Sequence, residues 1–102
     1  MELYHVTKSE NVADIMKNGL VPSIGKYATE MGETQKAVWL FPRLEDAQEM
    51  IPVWLEPFYG SDLCILKINL PDDFPVEYTG SDYEVYVTET IRPEYITITE
   101  ET

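Results

Sequence analysis

From Leu63 to Thr99 the chain consists of short β-branched and aromatic runs cut by turn signals, which commits that half to strands rather than helices. Leu63 to Asn69 reads as a strand and Pro71-Asp72-Asp73 as a turn. Val76 to Tyr78 reads as a short strand, and Thr79-Gly80-Ser81 as a second turn. Tyr83 to Val87 alternates as a half-buried strand, with Asp82, Glu84 and Tyr86 on one face. Ile91-Arg92-Pro93-Glu94 breaks the pattern before a last strand, Tyr95 to Thr99.

The first half carries the helix signals. Ser9 is a good N-cap residue, Glu10 suits the first turn, and Val12, Ile15 and Met16 share one helical face. Gly19 is a stop, so a helix is predicted over about 10–18. A second is predicted from Leu44 to Ile51, ended by Pro52. Val53 to Gly60, aromatic and broken by prolines, reads as an irregular connection. Leu3 to Val6 and Ala37 to Phe41 read as strands. Between them Lys26 to Lys36 is polar and without periodicity, a long loop of the kind that forms lids. The order β-α-loop-β-α-β-β-β-β predicts an α+β fold: a mostly antiparallel sheet with two short helices, in a single domain over 1–102.

A hydrophobic content of 44% supports a folded chain. No apolar run approaches the ~20 residues of a membrane span, and the N-terminal stretch has no signal-peptide pattern. With a single cysteine, Cys64, in a buried-strand pattern, a reduced cytoplasmic setting is expected. The net charge of −12 is unevenly placed. Residues 1–43 balance, whereas 44–102 hold 14 acids against only Lys67 and Arg92. Such a chain repels phosphate backbones, so direct nucleic-acid binding is not expected, while a basic protein partner fits.

The sequence has no Walker loop, GxGxxG, CxxC, HExxH or GxSxG. One His and one Cys are too few for an ordinary zinc site, and no metal is predicted. What remains is His5, the aromatic strand at Trp39 and the carboxylates Asp82 and Glu84. Each has a plain alternative: His5 and Trp39 as core, the acids as a solvated strand face.

Taken in order, these segments resemble the ADP-ribosyltransferases. Tyr4-His5-Val6-Thr7, a helix and Gly19-Leu20-Val21-Pro22 look like that family's opening strand, with its His and nearby Ser or Thr. Ala37 to Phe41 before Leu44-Glu45-Asp46-Ala47 resembles its second motif, an aromatic-bearing strand ahead of a helix. Asp82 to Val87, then Ile91 to Ile96, resembles its third, a strand starting at the catalytic Glu.

The resemblance implies a split sheet holding NAD as substrate. His5 would bond a ribose hydroxyl, and Val6 and Thr7 would hold the nicotinamide amide by their backbone. Trp39 would stack on the ring, with Tyr27 and Arg43 completing the NAD contacts. The catalytic pair would be Glu84 and His5, with Glu84 stabilising the ribosyl cation as the glycosidic bond breaks. ADP-ribose would pass to an unknown acceptor, for which a basic protein is a candidate. Aligned to the poly-ADP-ribose polymerases proper, Asp82 takes the glutamate's place. Aligned to the bacterial-toxin branch, Asp82-x-Glu84 matches its acidic pair. Departures are Val6, where many members have Gly, and Trp39, which replaces Tyr.

Overall fold

A computed structural model describes residues 1–23, 36–60 and 62–99, and for Trp54, Phe58 and Tyr59 the backbone alone. Its organising strand is β1 (Glu2–Lys8). All seven of its residues pair antiparallel with β3 (Leu63–Asn69), from Glu2 opposite Asn69 to Lys8 opposite Leu63. On the far side of β3 lies β6 (Ile96–Ile98), giving a first sheet of order β1-β3-β6. The second sheet runs β2 (Val38–Leu40), β5 (Val85–Val87), β4 (Glu77–Tyr78), also antiparallel. The architecture is therefore α+β and antiparallel, as the element order implied, with the described strands divided between two three-stranded sheets.

Period-two alternation decides which side of each sheet is buried. Leu3, Leu66, Ile68 and Ile96 of the first sheet meet Val38, Leu40, Val85 and Val87 of the second in the main core, closed by Ile15, Leu20 and Ile91. The other face of the first sheet is also covered. Tyr4, Val6 and Ile65 pack with Phe41, Ala47, Leu44, Ile51 and Leu55 in a second apolar cluster. That cover comes from α2 (Leu44–Met50) and its continuation. Among the described residues the first sheet is thus covered on both faces and the second on one.

Helix α1 (Val12–Asn18) is preceded by a 3-10 turn over Ser9–Asn11. Ser9 is not the N-cap expected of it: it lies inside that turn, and its N–H is drawn instead to Asp62 O at 3.0 Å. Gly19 ends α1 as expected, with φ 86° and ψ −178°, a region essentially reserved for glycine. A Cβ there would also run into Ile91 O, because Leu20 exchanges both main-chain hydrogen bonds with Ile91.

The segment after Pro52 is not irregular. Ile51–Leu55 forms a π-helical turn and Glu56–Tyr59 a short α3. Proline cannot donate to the residue four back, so the helix widens by one residue at Pro52, and Pro57 sits in the first turn of α3, where no N–H is required. The strand expected over 83–87 begins only at Val85, and Asp82 and Tyr83 lie in a turn. The long loop from Lys26 falls mostly outside the described residues.

Candidate opening between the sheets

Among the described residues the two sheets share a single main-chain rung. Tyr4 and Phe41 exchange N–H···O bonds of 2.8 and 2.7 Å. In an antiparallel ladder the next hydrogen-bonded pair would be two residues on along one strand and two back along the other, here Val6 with Trp39. That rung is not made. Strand β2 turns away instead to place Val38 and Leu40 over the first sheet's core face.

The break leaves main-chain groups to be satisfied. Trp39 C=O is taken by a side chain: His5 Nδ1 lies 2.8 Å from it. A carbonyl only accepts, so Nδ1 carries the hydrogen, and in the neutral ring Nε2 is a bare acceptor. Burial holds the His5 imidazole below its ordinary pKa, opposed by the bond to Trp39, so the ring is neutral at pH 7. No described residue is bonded to Nε2.

Val6 is the second component. Alternation turns its N–H and C=O the same way as those of Tyr4, toward β2 and away from β3. No described residue takes them up across the break. Its side chain packs into the second cluster, against the helical arm. The bulk of Val6 therefore lies away from the break, while its main-chain groups face β2. Thr7 is half-buried one residue further on.

Trp39 contributes more by its ring than by its backbone. It sits opposite Tyr86, with ring centroids 4.9 Å apart and planes tilted by 44°. Val38, Leu40, Val85 and Val87 face the core, so Trp39 and Tyr86 lie on the sheet's other face. Glu77 is paired with Tyr86 and shares that side.

Glu84 stands one residue before β5 and is half-buried. Burial raises its carboxyl above the ordinary range, and no cation opposes the shift. Its carbonyl accepts from Thr79 Oγ1 at 3.2 Å. No hydrogen bond, ion pair or ring contact joins it to His5 or Trp39. Asp82 is exposed in the turn and near enough to Arg43 to help raise that guanidinium's pKa. Arg43 is mainly engaged by Asp46: Nε donates to Oδ2 at 2.9 Å and Nη2 to Oδ1 at 3.2 Å. This pair pins the start of α2, and Asp46 is only 7% exposed.

Of the residues singled out in the sequence, then, the fold gathers His5, Val6 and Trp39 at the break. It leaves Glu84 to one side on the neighbouring strand's approach, and ties Arg43 to Asp46. Tyr27 lies outside the described residues. Tyr86 was missed as a site residue, although the alternation Glu84-Val85-Tyr86 already set it apart from the core positions. Cys64 lies in the shell of the main core, its thiol pushed up by burial against a Ser9 hydrogen bond. Among the described residues no cluster of His, Cys, Asp or Glu has the makings of a metal site. No described helix is long and apolar enough to cross a membrane. Comparison with protein families, curated proteins and solved structures returns no match.

Proposed function

We propose that the chain is an ADP-ribosyltransferase-like protein that takes NAD at the break between β1 and β2. The missing Val6–Trp39 rung carries this reading. It leaves a main-chain donor and acceptor side by side on Val6, the pattern that a primary carboxamide complements. Beside it the His5 Nε2 lone pair asks for a hydroxyl donor, which a ribose supplies. Trp39 offers an aromatic surface next to the same break. A nicotinamide riboside presents a carboxamide, an aromatic ring and a ribose in that order.

For the chemistry, Glu84 is the better of the two carboxylates. It is desolvated and has no cation partner, whereas Asp82 is exposed beside Arg43. In the reaction the bond from ribose C1′ to the nicotinamide nitrogen breaks and the nitrogen keeps the electron pair. The acceptor nucleophile then adds to C1′ and loses its proton. A carboxylate near C1′ lowers the barrier by opposing the positive charge that develops there.

Amide hydrogen exchange tests the reading. NAD should slow exchange at Val6 N–H, and ADP-ribose, which lacks the carboxamide, should not. Equal exchange with both, together with no calorimetric heat and no nicotinamide release at about 1 mM NAD, the upper end of ordinary KM values, would refute it.

A further inference from the structure

The outer face of the second sheet carries a row that the nucleotide reading uses only at one end. It runs Trp39 on β2, Tyr86 on β5 and Glu77 on the edge strand β4, each placed by the ladder beside the next. Trp39 and Tyr86 are only half-buried, and Glu77 is exposed. No described helix contributes to a core on this face, since both apolar clusters lie elsewhere. Large aromatics on a sheet face that no described helix covers mark a contact surface rather than a packing necessity.

The charge around the row is one-sided. Residues 76–90 contain Glu77, Asp82, Glu84 and Glu89 and no Lys, Arg or His. The two bases of the acidic half are engaged elsewhere: Lys67 with Glu2, and Arg92 with Glu94 at 3.2 Å and with Tyr95. Arg43 is held by Asp46.

We infer that the Tyr86–Glu77 end of this row docks a basic protein segment through an arginine, its guanidinium lying on the Tyr86 ring and pairing with the Glu77 carboxylate. Arginine fits better than lysine because a planar, weakly hydrated guanidinium stacks on an aromatic face while donating sideways to a carboxylate. The chain builds the same three-part arrangement within itself. Arg92 lies 5.3 Å from the Tyr95 ring centroid and pairs with Glu94. The docking does not require NAD binding; where the nucleotide reading holds, this partner is the acceptor.

Fluorescence anisotropy with a labelled Arg-Gly peptide, a Lys-Gly peptide of equal charge, and two charge-reversal variants tests the inference. The variants are Glu77→Lys on the row and Glu94→Lys, an exposed acid outside the second sheet, each checked for folding by circular dichroism. The Arg peptide should bind more tightly than the Lys peptide. Glu77→Lys should weaken the Arg peptide at least tenfold, and Glu94→Lys by no more than about twofold, the loss expected of a diffuse surface charge. Equal loss in both variants, equal affinity for the two peptides, or no binding would overturn it. So would sedimentation showing a dimer that Glu77→Lys dissolves, since the face would then belong to a second copy. A separate NAD titration without peptide distinguishes failure of the nucleotide reading from failure of this one.

Discussion

Replacing His5 separates what the ring does for the fold from what it does for a ligand. In His5→Ala the Trp39 carbonyl loses the one partner it has among the described residues, at a half-buried position. An unsatisfied group of this kind costs about 1–3 kcal/mol. For a domain of this size that is roughly 5–20 °C in Tm. His5→Asn is the informative companion. Its Nδ2 is bonded to Cγ, as Nδ1 is in histidine, so it can donate to the same carbonyl and should recover at least half of the lost stability. It has nothing where Nε2 was, so a ligand hydroxyl still goes unanswered. The expected pattern is Ala unstable and weak in NAD binding, Asn nearly stable but still weak. Thermal unfolding and calorimetric NAD titration of the three proteins measure both quantities. If Ala melts with the wild type, the ring is not holding the break and the reasoning is wrong.

Gly19→Ala should cost about 1–3 kcal/mol from its backbone angles alone and more from the collision with Ile91 O. Gly60→Ala has nearly the same angles and open space, so chemical denaturation should show it losing less. Burial depresses the His5 pKa below 6.5, so between the two values the unfolded chain binds more protons. Wild-type stability should therefore fall as pH drops below about 6.5, the ordinary His value, and fall less steeply in His5→Asn. Glu84 has the opposite sign. Its raised pKa means that stability is lost as pH rises above 4.5 through the folded value. At pH 7 Glu84→Gln should melt higher than the wild type, while NAD turnover drops about 10²–10³-fold, the scale for removing one preorganised electrostatic contact. A variant that melts lower would show the carboxylate to be stabilised by something the burial argument omits.

The strands were legible from local signals: Val85 and Val87 alternate with Tyr86, and Ala37 to Phe41 is a short, near-continuous apolar run. The break between the sheets was not, since a missing rung depends on where two strands 34 residues apart diverge. The direction of the Val6 side chain followed from the same divergence and was equally hidden. Pro52 misled because its helix-breaking effect was weighed without its ability to begin a new turn. Asp82 seemed to share a strand face with Glu84, but the Gly80-Ser81 turn extends two residues further than its composition suggests. The Arg43–Asp46 pair, at i and i+3, could have been read directly and would have marked Arg43 as a helix clamp.

The seven-residue pairing of β1 with β3 also sets the order of events when the chain is made. Met1 is bonded to Leu70, 69 positions away, and β1 has no other long partner among the described residues. On a ribosome adding about 5–20 residues per second, β1 leaves the exit tunnel several seconds before β3 does. Its apolar residues spend that interval unpaired, and closing so long a loop slows the search that follows. Moving the β3 segment ahead of β1 by circular permutation should quicken refolding, although the Met1 ammonium then no longer pairs with Asp72.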